Sequence, residues 1–470
     1  MRTARSLPRQ QRGALLILLV IALGVLAVTL FVGMLSSSAI QNERDKKTAA
    51  ALAEAKAALI GFAVGVDLTT TSQRPGDLPC PDLNNDGVAE TSCGNANGST
   101  GQNLRIGRLP WKTLGLTDLR DGDGERLWYA VSNNFKNNSR TTCTSQGQPG
   151  CLNSDSKGTI TIRDSNGQII YDGSASTGAV AVVISPGAVL QRQGAANIQD
   201  RGCTIGTNCD TTEKCTTSPA SLTPKCNPVN YLDIGNGEDN ADFVDGDPNN
   251  GFINGIIRDP IDKEKIIVND KLITISYADI MPLLEKRVAK EIYHCLTDYA
   301  QEPQNNSRYP WAASLVASAN STPDYSDVSG ELFGRIPESL AHTMTDSNGI
   351  MNDVWTPSCN IKTNTGSWWF NWRELVFYGL ADAYKPTFPM VTPACGSCLQ
   401  VAPFSTADKQ FVAIVAGKIL GTQQRTTSVQ RSDQANYLEG TNASMSNSYL
   451  QQKPTPNFND LVLFLSLIHI

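Results

Sequence analysis

The sequence is poor in histidine and lacks the motifs of several large enzyme classes. His294, His342 and His469 are the only histidines among 470 residues. Because histidine is the side chain that most readily exchanges a proton near neutral pH, this chain offers little material for acid–base catalysis. The sequence also has no GxSxG, Walker, HExxH or dinucleotide-binding motif. We therefore expect a protein that is not an enzyme.

Basic residues are also fewer than acidic ones. The chain carries 39 lysines and arginines against 45 aspartates and glutamates, so its formal net charge is −6. Surfaces that bind nucleic acid are basic, and an acidic chain therefore predicts no nucleic-acid partner. A length of 470 residues with 40% hydrophobic content is enough for two or three globular domains.

Cysteine, by contrast, is plentiful: there are twelve, all downstream of a hydrophobic N-terminal segment. An even number on one side of such a segment is typical of disulfides formed in an oxidising compartment. Zinc is the alternative at Cys395-Gly-Ser-Cys398, although no second CxxC or nearby histidine pair completes a site. The cysteines predicted to form disulfides are Cys80, Cys93, Cys143, Cys151, Cys295, Cys359, Cys395 and Cys398. The four cysteines between 203 and 226 leave three pairings open.

The N-terminus combines a basic segment with a long apolar one. Residues 1–13 are short and basic, and Ala14–Leu35 carries no charge. This length is sufficient to span a bilayer, and it exceeds the apolar region of a secretory signal peptide. Ala49–Ala63 continues with helix-forming residues and a partly apolar face. We expect one continuous helix over 14–66 that anchors the chain in a membrane; an uncleaved signal anchor is the alternative.

The junction between the two segments, Gln11-Arg12-Gly13 followed by the apolar helix, resembles the type IV pilin and pseudopilin superfamily. The resemblance implies cleavage between Gly13 and Ala14 by prepilin peptidase, with N-methylation of the mature chain. It further implies an inner-membrane anchor, periplasmic or extracellular heads, and contact with other pilins or pseudopilins through the N-terminal helix. Leu18 stands where most of the family has glutamate. This departure is similar to the tip pseudopilin of type II secretion and favours a priming or capping role.

The remaining sequence contains landmarks that recur in the same order. Gly107–Pro110 returns as Gly334–Pro337, and Glu125–Tyr129 returns as Glu374–Tyr378. Asn230-Tyr231-Leu232 likewise returns as Asn436-Tyr437-Leu438. We therefore predict an α+β fold in which a long N-terminal hydrophobic helix carries two tandem, disulfide-rich pilin-like heads. These are a first unit, 67–260, and a second unit, 261–464. Residues 465–470 resemble a translated sequencing adaptor and carry no functional argument.

Each unit is predicted to be a helix followed by antiparallel strands. Alternating and β-branched residues predict strands in the first unit at 126–132, 158–163, 168–171 and 179–185. Lys265–Ile275 predicts a hairpin around Asn269 and Asp270, and a packing helix is expected from Asp279 as its N-cap.

A calcium loop is the main candidate metal site. Asp82, Asn84 and Asp86 alternate ahead of Gly87, with Val88 as a carbonyl ligand, and these are the ligand types of a calcium loop. Glu90 follows, but the twelfth position is Cys93, so a bidentate glutamate is missing. An Asn/Asp/Gly turn without metal is the equal alternative. The acidic stretch 238–251 has the same two interpretations, with a solvated loop as the default.

An aromatic cluster and the overall function complete the predictions. Trp368, Trp369, Phe370 and Trp372 suit either a sugar- or partner-binding platform or the core, and we favour the core for at least half of them.

The expected function is that of a minor pilin or pseudopilin that primes, caps or joins a type IV pilus or type II secretion filament. A pilus-associated adhesin or surface-binding module is the alternative, followed by a signal-anchored periplasmic enzyme.

Overall fold

The fold is α+β, with strands outnumbering helices. The computed structural model describes residues 11–69, 73–94, 105–136, 151–175, 177–194, 198–201, 224–242, 244–341, 351–361, 367–386, 393–396, 398–404, 406–444 and 446–466. Within them the α-helices are α1 (Gln11–Val64), α2 (Tyr277–Gln301), α3 (Leu315–Ser318), α4 (Trp368–Trp372) and α5 (Ser428–Ser432). In α1 the side chains described are Leu23 and those from Ser38 onward.

The described strands are short and fall into two halves of the chain. Those before α2 are β1 (Ile106–Arg108), β2 (Trp128–Val131), β3 (Ile162–Asp164), β4 (Ile169–Tyr171), β5 (Ala181–Ser185), β6 (Ile234–Gly235), β7 (Glu238–Asp239), β8 (Phe252–Asn254), β9 (Ile257–Arg258), β10 (Ile266–Val268) and β11 (Lys271–Ile275). Those after α2 are β12 (Phe333–Arg335), β13 (Val376–Leu380), β14 (Gln400–Ala402), β15 (Lys409–Val415), β16 (Ser448–Leu450) and β17 (Leu461–Ser466).

Two four-stranded antiparallel sheets have the same strand order. The first sheet runs β1-β2-β5-β11 and the second sheet runs β12-β13-β15-β17. Their registers also correspond, because Arg108 lies opposite Trp128 in the first sheet and Arg335 lies opposite Phe377 in the second. Smaller sheets flank them, including β4-β3-β8 beside the first and β14-β16 beside the second.

Each large sheet is buried on both faces. In β2, Tyr129 and Val131 belong to the main core cluster, whereas Trp128 and Ala130 belong to a second cluster on the other face. This division follows from the alternation of side chains along a strand. Helix α1 contacts β5 and β11, helix α2 contacts β15 and β17, and the two helices contact each other. The sheets therefore enclose the helix pair in one core.

Residues from both predicted heads lie in the main core, so the two heads share one hydrophobic core. Leu59 of α1, Ile280 of α2 and Trp369 of α4 lie in the same cluster. Polar contacts also cross between the units: the Asn371 side-chain oxygen accepts the Leu152 N–H at 3.0 Å. Burial of a common core and these hydrogen bonds join the two sheets into one body.

The prediction of a membrane-spanning hydrophobic helix, and of an inner-membrane anchor, is wrong. Across the described parts of the chain, no helix is both long enough and apolar enough to cross a bilayer. The part of α1 whose side chains are described from Ser38 onward is amphipathic: it carries charged residues at 43–47, and its buried Leu52, Ala55 and Leu59 pack into the protein core. The fold class is therefore corrected to an α+β fold rich in short strands.

Two local predictions are also corrected. Lys265–Ile275 does not form a hairpin, because β10 pairs with β9 while β11 pairs with β5 in the first sheet. Helix α2 begins at Tyr277, two residues before the predicted start at Asp279, and Ser276 is its N-cap. The Asp279 carboxylate accepts the Ser276 N–H at 2.8 Å and its hydroxyl at 2.6 Å. Asp279 therefore acts within a capping box and is not itself the cap.

Candidate functional site

The predicted calcium loop is built around the buried Asp82. One carboxylate oxygen accepts the N–H groups of Asn84 at 3.1 Å and Asp86 at 3.2 Å, and the other accepts the Gly87 N–H at 2.7 Å. The Asn84 side-chain oxygen accepts the Asp86 N–H at 2.9 Å. These are the contacts of successive Asx turns, in which the side chains replace water around the backbone donors.

The environment of this loop disfavours the ionised form of two of its carboxyl groups. Burial raises the pKa of Asp82 to about 6, with backbone N–H groups opposing the rise and the charge of Asp86 adding to it. Burial also raises the pKa of Glu90. Val88 is exposed, and within the described residues no group of three or more acidic, histidine or cysteine side chains is placed to hold a metal. Calcium here therefore stays a prediction.

Three carboxylates of the acidic stretch 238–251 are paired with arginines, namely Glu238, Asp239 and Asp245, whereas Asp242 is exposed. Glu238 accepts a hydrogen bond from Arg163 at 2.7 Å and one from the Gly251 N–H at 2.7 Å. Asp245 pairs with Arg105 at 2.6 Å. These ion pairs neutralise the carboxylates within the protein, so their density does not require a cation.

The prediction of disulfides is confirmed. Bonds join Cys80 to Cys93, Cys295 to Cys359 and Cys395 to Cys398. Cys151 and Cys226 are also disulfide-bonded, and no described cysteine is free. Cys143 lies outside the described residues. The CxxC pair is thus oxidised, and the set as a whole is typical of an oxidising compartment.

The other predicted residues are placed as follows. Gly13 and Ala14 lie in α1, which begins at Gln11, and residues 1–10 are outside the described part. The aromatic cluster forms α4, and all four rings are buried, as a core role requires. Leu465 and Ser466 belong to β17 and pair with β15, while 467–470 fall outside the described chain.

Sequence reasoning missed a buried arginine stack beside the first sheet. The Arg108 guanidinium lies 4.2 Å from the Trp128 ring and 4.0 Å from the Tyr231 ring. Its Nη1 and Nη2 groups donate to the carbonyls of Arg126 and Lys225 at 2.9 and 3.1 Å. Arg201 approaches the same Tyr231 ring at 5.1 Å. Such contacts allow a guanidinium to be buried without a direct carboxylate partner.

The second sheet carries the same arrangement. Arg335 lies 4.6 Å from the Phe377 ring and 4.7 Å from the Tyr437 ring, and Arg425 approaches Tyr437 at 4.4 Å. Arg335 also donates to the carbonyls of Glu374 and Arg431. The repetition of Gly-Arg-Leu-Pro as Gly-Arg-Ile-Pro is the sequence feature that could have indicated a shared role for Arg108 and Arg335.

A buried acid pair lies at the start of the last strand of the first sheet. One Asp270 oxygen accepts the Asp233 N–H at 2.8 Å and the Asn240 side-chain amide at 2.9 Å. Asp233 in turn accepts the Asn269 N–H at 2.8 Å. Burial raises the pKa of Asp270 well above its ordinary value, and the nearby charge of Asp233 raises it further. The other Asp270 oxygen, Oδ1, is buried without a hydrogen-bond partner.

The second sheet repeats this acid pair. Asp460 accepts the Glu439 N–H at 3.0 Å and the Asn442 amide at 2.9 Å, and Glu439 accepts the Asn459 N–H at 3.0 Å. The pKa of Asp460 is raised by burial and then by the charge of Glu439, and its Oδ1 is also without a partner. Each pair ties β11 or β17 to a neighbouring loop, and neither lines the two pockets that follow. The pairs are therefore suited to stabilising the fold and to holding a proton.

An open cleft lies beside the C-terminal end of α2. It has a volume of about 740 Å³ and is lined by Tyr293, Thr297, Glu302, Asn306, Ser307 and Tyr384, among others. Asn306 and Ser307 have φ values of 47° and 61°, in the left-handed region that non-glycine residues rarely adopt. Asn306 caps the short 3-10 helix Pro303–Asn305, where a left-handed residue is common. The volume suits a small molecule.

A second, smaller pocket lies against the first arginine stack. Its volume is about 120 Å³, and its lining is mostly charged: Asn85, Arg108, Arg120, Glu125, Arg126, Lys225 and Tyr231. Both pockets are concave and are lined by polar groups that could contact a ligand. Comparison of the chain with known protein families, with curated proteins and with solved structures found no match in any of the three.

Proposed function

We propose that this chain is a non-enzymatic minor pilin or pseudopilin that primes, caps or joins a filament of the type IV pilus or type II secretion kind. Helix α1 is the observation that carries the proposal. It runs for 54 residues, and its C-terminal part packs on the antiparallel strands β5 and β11. A long helix whose end is docked on an antiparallel sheet suits a subunit that joins a filament by the free part of the helix.

The part of α1 that precedes this docking offers a surface for partners. Leu23 and Ile40 are exposed, and residues 38–44 are exposed throughout. We propose that this part contacts the corresponding helices of other pilins or pseudopilins. Leu18, which replaces the usual family glutamate, supports a position at the start or tip of the filament, because a bulk subunit needs the carboxylate to meet a neighbour's N-terminal amine.

Processing is the direct test. Co-expression with an active prepilin peptidase is expected to yield a mature chain that begins at Ala14, detectable by intact mass and N-terminal sequencing. Gly13→Leu should block cleavage, whereas Gly24→Leu in the same helix should not. An N-terminus that is unchanged in the presence of peptidase active on a control prepilin would contradict the proposal.

One observation favours a binding module as the second candidate. The 740 Å³ cleft is lined by tyrosine, amide, hydroxyl and carboxylate groups, which is the chemistry that recognises a polyhydroxylated or peptide ligand. In an assembled filament, Tyr293→Ala should then abolish adhesion while leaving filament number unchanged. If the variant removes filaments and adhesion together, the cleft serves assembly and the adhesin candidate fails.

A further inference from the structure

The 120 Å³ pocket is more positive than the chain that surrounds it. Four cations line it, namely Arg108, Arg120, Arg126 and Lys225, and Glu125 is the one carboxylate among the lining residues described. Asp118, just outside, pairs with Arg120 at 2.7 Å and Arg126 at 2.8 Å. The local charge is therefore about +2 on a protein whose net charge is −6. A concave site of one sign concentrates ligands of the opposite sign.

Two cationic side chains at the pocket have incomplete hydrogen bonding. Arg108 is only 5% exposed: its two Nη groups donate to carbonyls and its side chain interacts with Tyr231, while its Nε is buried without a hydrogen-bond partner. The Lys225 ammonium has no partner among the described residues, although its carbonyl accepts from Arg108. A hydrogen bond from the Lys225 ammonium to an entering oxyanion would be charge-assisted, and the nearby charge of the Arg108 guanidinium would strengthen the attraction.

The second sheet shows what chemistry fits beside such a stack. There the side chain of Glu374 is 7% exposed, accepts a hydrogen bond from the Tyr437 hydroxyl and lies 3.9 Å from Arg431. The corresponding residue of the repeated motif in the first unit is Glu125, whose side chain is 28% exposed and lies 3.7 Å from Arg201. In the second sheet, the buried Glu374 carboxylate therefore lies beside the arginine stack. In the first sheet, the corresponding Glu125 carboxylate lies nearer the surface, and a pocket lies beside the stack.

We propose that the 120 Å³ pocket of the first unit binds a small oxyanion of phosphate or sulfate size, held by Arg108 and Lys225. The volume is sufficient for a single phosphate or sulfate ion. The site is formed by β1 and by the loop that carries Arg120, Glu125 and Arg126, and this loop contacts α1 where Asp123 pairs with Arg44 at 3.2 Å. The proposal concerns anion binding by the folded chain and does not depend on filament assembly. The same oxyanion chemistry is offered by a free inorganic ion or by a carboxylate.

The test uses the full chain in a buffer without multivalent anions. Sodium sulfate, sodium phosphate and sodium acetate are titrated separately, with sodium chloride at equal ionic strength as the reference, and binding is followed by calorimetry and by melting temperature. Lys225→Met is expected to weaken sulfate or phosphate binding about tenfold or more, because it removes one charge-assisted contact. Glu125→Gln is expected to tighten it severalfold, since it removes the competing carboxylate.

Lys453→Met is the matched control: Lys453 is an exposed lysine without a described partner, so its loss should leave binding unchanged. Binding of phosphate or sulfate in preference to acetate identifies a tetrahedral ion, and the reverse identifies a carboxylate; both support an oxyanion site. Equal responses to sulfate and chloride at the same ionic strength would overturn the proposal. So would equal losses in Lys225→Met and Lys453→Met, because general screening and not a site would then explain them.

Discussion

Replacing Asp270 by asparagine is expected to make the protein less sensitive to rising pH. The Asp270 oxygen that accepts the Asp233 N–H and the Asn240 amide has a counterpart in the asparagine carbonyl, so both hydrogen bonds are retained. The new NH₂ group takes the place of Oδ1, which has no partner now. The substitution therefore removes an ionisable group with little change in shape.

The size of the effect follows from the raised pKa of Asp270. Its folded-state pKa lies well above the ordinary 3.8, through burial and then the charge of Asp233, with Arg201 opposing the rise. A group raised in this way contributes stability that is complete below the unfolded pKa and is lost as pH rises toward the folded pKa. In that window the folded state holds one proton more than the unfolded state, so the free energy of unfolding falls by about 1.4 kcal/mol per pH unit.

Urea unfolding at pH 5, 6 and 7 measures this slope. The wild-type protein should lose stability with rising pH more steeply than Asp270→Asn, by at most about 1.4 kcal/mol per pH unit. Asp460→Asn is the matched variant in the second sheet, because Asp460 accepts a corresponding backbone N–H and asparagine amide and is likewise raised in pKa by burial and a neighbouring carboxylate, and it should also reduce the slope. A variant whose stability changes with pH as steeply as that of the wild-type protein would refute the reasoning, since Asp270 would then be ionised in the folded state.

Three further outcomes are expected. Replacing Cys295 and Cys359 by alanine should lower the free energy of unfolding by about 4 kcal/mol, because the bond spans 64 residues, whereas loss of Cys395–Cys398 should cost about half as much; denaturant titration compares them. Arg335→Met should destabilise by about 3 kcal/mol or more by leaving Glu374 buried beside fewer cations, and exposed Arg258→Met should change the melting curve little. Millimolar calcium should raise stability by about 1 kcal/mol through Asp82 and Asp86, an increment that Asp86→Asn abolishes; identical melting in calcium and chelator leaves the loop as a turn.

The local sequence pattern predicted the secondary structure correctly where apolar side chains follow the period of a strand. Residues 179–185 predict a strand, and β5 forms there at Ala181–Ser185 because each of its side chains is buried on one face of the first sheet or the other. The pairing of strands with one another could not be predicted from the local sequence. Lys265–Ile275 resembles a hairpin, but contacts of Asn269 and Asp270 with the distant Asp233 direct β11 to β5 instead. Register between remote strands depends on such tertiary contacts.

The buried ionic groups could not be predicted from spacing, because charged residues are by default expected at the surface. Arg108 and Arg335 are buried by rings contributed from remote strands and loops, and Asp233 meets Asp270 only after the chain has passed through five intervening strands or turns. The acidic stretch 238–251 gave the opposite error. Its carboxylates suggested a solvated loop, but Arg163 and Arg105 come from distant segments to pair with them.

Comparison of the two sheets separates what maintains the fold from what differs between the units. The acid pairs and arginine stacks occur in both sheets with the same partners in the same order, so a common structural requirement is enough to explain them. The 740 Å³ cleft beside α2 is lined by residues outside these shared networks, and the 120 Å³ pocket adds Arg120, Arg126 and Lys225 to Arg108 and Tyr231 of the first stack. If the two units arose by duplication, the shared networks record the ancestral fold, and the differing pockets are where the copies were free to acquire separate ligands. Ligand binding should therefore be sought first where the two sheets differ, at Lys225 and Tyr293.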